Sequence, residues 1–353
     1  MAAEYIVEVV FIKSRLRTNY LVGTKTSDYP FNHGNLDTFV FSKKGFTLSA
    51  RRSSAYLDGT ILSNDKNSLY KQIVKGLLVY YALADDFPIL KNIIIKRKKS
   101  RTDDFVYSDT HNFQQPIKPG VPRKFYLPTS FADELLQETI RSQALRIAFT
   151  YWLKAMNSND SYFRFDRLWK AYDRLLLYEG NTTREMDGFP AIKQVITNNS
   201  TCFPLSISIT NSYSQSDLRS FQWNTLLASK TIGYTKVSLL VRKLTEFTDH
   251  RFIDLFQGIS KGRKIQQVLV NNGLLAQVNS HYLANSTTVN DIDIVLLLSL
   301  SYTYFIRCRL FHGEVIDSTF KLKSTREDFE IGKMSELLET VLYELFCNCN
   351  ILR

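Results

Sequence analysis

Two hydrophobic periods divide the chain. Between residues 5 and 49, β-branched and aromatic residues gather in short runs, 5–12, 19–22, 38–41 and 46–49. Turn-forming residues separate the runs, at Ser27-Asp28, at 32–35 and at Lys43-Lys44-Gly45. This pattern predicts an antiparallel sheet. A helix is expected over 67–84, where Leu69, Ile73, Leu77 and Tyr80 or Tyr81 recur at helical spacing, with Asp85-Asp86-Phe87-Pro88 ending it. Residues 90–95 read as one more strand, which runs into Lys96-Arg97-Lys98-Lys99. Residues 100–130 hold Pro116, Pro119, Pro122 and Pro128 with few periodic apolar positions, and are expected to be a linker.

From residue 131 the period becomes helical. One long or broken helix is expected over 131–156. The next carries Phe165, Leu168, Trp169, Tyr172, Leu175 and Leu176 on one stripe. Further helices are expected over 217–228, 236–247, 250–258, 264–282, 291–311 and 333–347. The fold class is therefore α+β: a β-rich N-terminal domain over 1–128, then an α-helical domain over 129–353. No internal repeat is visible.

Charge separates the same two parts. The 353 residues carry a net charge of +11, and residues 1–130 alone hold 20 Lys and Arg against 11 Asp and Glu. That excess points to a polyanion partner, with solubility alone as the other reading. Lys96, Arg97, Lys98 and Lys99 are the densest patch and the candidate RNA-binding residues; a solvated loop is the alternative. A protein partner or regulator is a further role open to the N-terminal domain. Cys202, Cys308, Cys347 and Cys349 lack zinc-ligand spacing and read as thiols of a reducing compartment. No targeting signal is legible, and the apolar run from Ile292 to Ile306 reads as too short and too polar for a membrane span, so a cytoplasmic protein is expected.

Phosphate-cradling glycine loops, Gly-x-Ser-x-Gly and His-Glu-x-x-His are absent. Asp291 and Asp293 could bind a metal, but capping and a helix's first turn explain them better. Among His33, His111, His250, His281 and His312, only His312 has two arginines within five residues, in the stretch Ile306-Arg307-Cys308-Arg309-Leu310-Phe311-His312-Gly313.

That stretch resembles the signature of the HEPN superfamily of ribonucleases and RNA-associated proteins, an Arg, four to six residues and a His at the end of a bundle helix. The Phe-x3-Trp-x-Ala-Tyr stripe at 165–172 is similar to the opening helix of such a bundle. Cys308 stands where the family usually has Asn, Asp or His. The resemblance covers the second domain only. It implies a metal-independent endoribonuclease with no cofactor, with Arg307 and His312 catalytic, and a homodimer whose two motifs face each other. Cleavage would use the RNA's own 2′-hydroxyl, His for proton transfer and Arg for the charged phosphate oxygens. Five positions of an ideal helix turn through ~500°, leaving Arg307 and His312 ~140° apart, so the helix end must distort or a second subunit must complete the site. Arg309, ~60° from His312, is a second candidate phosphate contact. A defence or toxin effector is one expectation. A HEPN-fold module that binds RNA or protein without cleaving is the other. In a purely structural role, the two arginines would pair with acidic residues.

Overall fold

The computed structural model describes residues 3–12, 16, 23–28, 36–57, 59–98, 105–113, 115–117, 124–228, 234–311 and 322–353. Six strands form one antiparallel sheet: β1 Ala3–Ile12, β2 Gly23–Asp28, β3 Leu36–Ser42, β4 Gly45–Arg52, β5 Ile89–Lys98 and β6 Phe105–His111. Their order is β2-β3-β4-β1-β5-β6, with β1 central between β4 and β5. Strict alternation places Ala3, Tyr5, Val7, Val9 and Phe11 of β1 in the core, while Glu4, Ile6, Glu8 and Val10 are at least partly open to solvent. Helix α1, Ser68–Leu83, covers the apolar face, with Tyr80 stacked on Phe11 at 4.2 Å between ring centres. Asn67 caps it, accepting a 2.8 Å bond from the Leu69 N–H.

Two glycines are dictated by close approach. A Cβ on Gly45 would lie 1.8 Å from the Val9 carbonyl oxygen, and one on Gly76 would lie 2.4 Å from the Phe46 ring. Behind them, Arg52 holds Asp37 through two 2.7 Å bonds and donates to Ser68 Oγ at 2.9 Å. Both ions of this pair are buried, so the fork geometry and the bond to Ser68 are what compensate their lost hydration.

The strand expected over 19–22 lies outside the described residues. Strand β2 occupies 23–28, including the Ser27-Asp28 pair read as a turn. Strand β5 continues through the basic run to Lys98 instead of stopping at residue 95. Within the expected linker, residues 105–111 form β6, an edge strand with no buried position. Without a buried face it leaves no apolar alternation to read.

The helical region contains α2 Thr129–Leu136, α3 Ile140–Met156, α4 Ser161–Glu179, α5 Glu185–Asn198, α6 Pro204–Asn211, α7 Gln215–Ser220, α8 Trp223–Ala228, α9 Tyr234–Thr245, α10 His250–Ser260, α11 Arg263–Asn271, α12 Leu275–Ala284, α13 Asp291–Leu296, α14 Thr303–Phe311 and α15 Arg326–Cys347. A π-helical segment, Leu297–Tyr302, joins α13 to α14. The stripe from Phe165 to Leu176 on α4 is fully buried, as its period requires. The span 264–282 is broken by Gly273, which adopts φ +67° between α11 and α12.

The chain forms two compact units. One contains residues 1–159, 170–179 and 345–353; the other contains 160–169 and 180–344. The expected boundary at 128/129 thus falls inside the first unit, because α2 and α3 pack with the sheet. A polar cluster accounts for it. Lys75 of α1 pairs with Glu138 in the α2–α3 turn and donates to Ser27 Oγ of β2 at 3.0 Å, while Ser27 donates to the Leu136 carbonyl at 2.6 Å. Phe131, Phe149, Trp152 and Phe346 add an aromatic cluster to this unit. In the second unit, Trp223 packs against Phe221, Phe252, Phe256 and Tyr302.

The helix from Asp291 to Phe311 is, among the described residues, the one long and apolar enough to cross a membrane by length and composition. Its 21 residues exceed the shorter apolar run legible in sequence. Within the helical unit it is a core element: Ile294 to Leu298 are all at most 1% exposed.

Candidate functional site: the Asp291–Phe311 helix and its cleft

The helix starts beside the N-terminus of α10. Asp293 accepts from the Thr248 N–H and hydroxyl at 2.7 and 2.9 Å, and Asp291 accepts from Arg251 at 2.5 Å. Arg251 also bonds Asp249, which sits at the N-terminus of α10. The two acidic residues are therefore first-turn groups that tie the helix start to Thr248 and Arg251, with no side-chain cap on the helix itself. Among the described residues no group of His, Cys, Asp and Glu could hold a metal ion.

Midway, the Leu297–Tyr302 segment winds with the wider π pattern. Thr303 Oγ1 donates to the Leu298 carbonyl at 2.5 Å, which satisfies a backbone acceptor in the altered ladder. Ser299 is buried there, and its hydroxyl has no hydrogen-bond partner. The wider turn changes which residues line up further along. Leu296, Leu300, Tyr304 and Cys308, at intervals of four, all face one cleft, as do Ser301, Phe305 and Arg309. On an ideal α-helix such a row drifts by ~40° per step. An underwound stretch takes back part of that drift.

At the far end the two arginines leave on different sides, as expected for positions ~200° apart. Arg307 pairs with Glu185 at 3.0 Å, and its guanidinium lies 4.8 Å from the Phe311 ring centre. Glu185 belongs to the first turn of α5, where a carboxylate is favoured by the helix dipole. Its Oε1 also accepts from Trp169 at 3.4 Å. Arg309 donates to Gln222 Oε1 at 2.8 Å, lies 3.7 Å from Glu327 and rests over Phe305. Between them Cys308 meets Tyr304. Burial, then the hydrogen bond with Cys308, pushes the Tyr304 hydroxyl up to about 12. His312 lies outside the described residues, as does His33.

The cleft has a volume of about 700 Å³. Helices α5, α8 and α9 form it together with the π segment and α14. Its polar centre is a carboxylate between two lysines: Lys193 and Lys243 each lie 3.0 Å from Glu246, and both cations stand over the Phe247 ring. Lys243 also donates to Ser301 of the π segment. Burial holds the Lys243 ammonium below its usual range despite Glu246. For Glu246, burial works upward, but Lys243 and Lys193 outweigh it and keep the carboxylate low. No local spacing announces this group, since its members come from α5, α9 with the turn after it, and the π segment.

In the sheet unit, Lys96, Arg97 and Lys98 lie on β5 and Lys99 lies outside the described residues. Lys96 pairs with Glu8 at 2.6 Å, and Lys96 and Lys98 both lie 5.6 Å from the Phe105 ring centre. Arg97 points to the other face, donating to the Tyr56 carbonyl at 3.3 Å near Tyr107. The basic run is thus a strand with cations on both faces. The remaining described histidines serve local structure: His111 beside Asp109 at 2.8 Å, His250 on the Thr288 carbonyl and His281 on the Phe247 carbonyl.

Compared with family models, with curated proteins and with solved structures, the chain finds no match.

Proposed function

We propose that the chain is a HEPN-type endoribonuclease whose reaction is carried by the end of the Asp291–Phe311 helix. The observation behind this reading is the setting of Arg307. It stands in the last described turn, its side chain about one quarter exposed, aimed by a carboxylate and an aromatic ring just before His312. An oriented guanidinium is suited to the non-bridging oxygens of a phosphodiester. In the proposed reaction the RNA 2′-oxygen attacks phosphorus and gives its proton to His312. The bond from phosphorus to the 5′-oxygen breaks, and that oxygen receives a proton from the second motif of a homodimer. The products are a 2′,3′-cyclic phosphate and a 5′-hydroxyl, with no metal or cofactor. In this reading the protein works in the cytoplasm, as a defence or toxin effector.

The test is cleavage of a mixed RNA by the purified chain with EDTA present. His312→Ala and Arg307→Ala should each lower the rate by about 10²–10⁴-fold while retaining the wild-type circular dichroism. Unchanged cleavage by His312→Ala would remove the assignment. The second reading, an RNA-binding or protein-interaction module without catalysis, is favoured by one observation: Arg307 and Arg309 both face carboxylates, Glu185 and Glu327. RNA retention without cleavage is its signature.

In either reading the N-terminal basic strand contributes to RNA affinity. Replacing Lys96, Arg97, Lys98 and Lys99 by Gln should weaken binding and flatten its salt dependence, by roughly 1 in slope for each phosphate no longer neutralised. If affinity and slope both stay the same, a protein partner becomes the better occupant of that strand.

A further inference from the structure

The geometry points to a binding site for a small organic anion with a flat aromatic body, of the nucleoside monophosphate class, in the cleft beside the π segment. This does not rest on the RNA-cleavage reading, and binding is measured separately from cleavage.

Size is the first argument. About 700 Å³ falls in the range of pockets that enclose small ligands, ~300–1,000 Å³. Charge is the second. The lining carries Lys193, Arg242 and Lys243 beside one carboxylate, Glu246, while a fourth cation of the lining, Arg309, has Glu327 for its partner. Glu246 already holds Lys193 and Lys243 at equal 3.0 Å distances, so two ammonium groups share one negative charge. Keeping Lys243 charged works against burial, since its side chain is only 16% exposed. An anion that enters beside the two lysines supplies the missing charge in a setting of low polarity, where charge-assisted bonds are strong.

The third argument is the remainder of the wall. It is apolar and rich in rings, with Phe189, Tyr304 and Phe305 facing the same space as Leu226, Leu239 and Leu300. Phe189 and Tyr304 are fixed edge to face, 5.3 Å between centres. Such a surface favours a planar ring over a hydrated sugar polymer or an inorganic ion. Cations and rings line one cleft together, as a nucleoside monophosphate requires.

Isothermal titration of the full chain with adenosine 5′-monophosphate, adenosine, inorganic phosphate and decanoate tests the site. The monophosphate should bind at least 10-fold more tightly than adenosine or phosphate. Lys193→Gln, at the edge of the cleft, should weaken it by about 10-fold, the size of one charge-assisted bond. Arg242→Gln, on an exposed position of α9, is the second variant should Lys193→Gln not fold. The proposal is overturned if the monophosphate does not bind at millimolar concentration, if folded Lys193→Gln and Arg242→Gln both bind it as the wild type does, or if decanoate binds more tightly.

Discussion

Among the described residues, Lys75 is buried in one unit and Lys243 is mostly covered in the other, and their partners are alike. Lys75 has Glu138 and the Ser27 hydroxyl; Lys243 has Glu246 and the Ser301 hydroxyl. The surroundings differ. The Lys75 side chain is 2% exposed and joins α1, β2 and the α2–α3 turn. Lys243 is 16% exposed, shares its carboxylate with Lys193 and borders a cleft. The same three groups therefore serve a packing joint in the sheet unit and the wall of a cavity in the helical unit. A Lys–Glu–Ser cluster alone does not say which. The space beside them does, since Glu138, like Glu246, meets a second cation, Arg146 at 3.5 Å, yet does not line the cleft.

Removing each lysine should separate the two roles most sharply. Lys75→Met leaves Glu138 with Arg146, 3.5 Å away, but removes a cation that is 2% exposed together with its bonds to Glu138 and Ser27, and should cost about 2–3 kcal/mol in denaturant unfolding. Lys243→Met leaves Glu246 its Lys193 partner, and should cost about 1 kcal/mol. Equal losses would end the distinction.

Alkaline pH gives the next largest effect. Burial brings the Lys75 ammonium down to about 8 against a usual 10.5, and Glu138 offsets only part of this. The unfolded chain then binds the extra proton in that window, so folding stability should rise with pH between about 8 and 10.5. The slope from this group is at most about 1.4 kcal/mol per pH unit. It is read as the difference between wild type and Lys75→Met, whose own curve lacks it. A constant difference across the window would show that the lysine is not depressed.

The smallest effects compare packing. Gly76→Ala pushes a methyl group into the Phe46 ring and should cost about 1–3 kcal/mol. Gly332→Ala, on an exposed position of α15 with no atom within 4 Å, should instead raise stability by about 0.5–1 kcal/mol. Thermal melts of the two variants should move in opposite directions.

Much of the fold was legible in the sequence because burial imposes a period. The alternation of β1 and the Phe165–Leu176 stripe are examples. Strand β6 was not legible, since an edge strand without a buried position leaves no pattern. The break between α2 and α3 placed them with the sheet, through Lys75, Ser27 and Glu138, residues far apart in the chain. At the candidate site, the sequence marked Arg307 and Arg309 by their cost at the end of an apolar helix. It could not show their carboxylates, because Glu185 precedes Arg307 by more than a hundred residues and Glu327 follows Arg309 by eighteen. The cleft left no local mark at all.

The π segment sets the rotational phase between the two ends of one helix. Deleting one residue there, Ser299 with its unpartnered hydroxyl being the natural choice, would restore ordinary winding. Six residues in the wider winding turn through about as much as five in ordinary α winding, ~500°, so the part that follows would keep its phase. Cys308 would still face the cleft and Arg307 would still reach Glu185. A deletion within α14, where the winding is already ordinary, would instead turn all that follows by ~100°. The π segment is thus a stretch of this helix in which length can change while the cavity wall and the arginine motif keep their alignment.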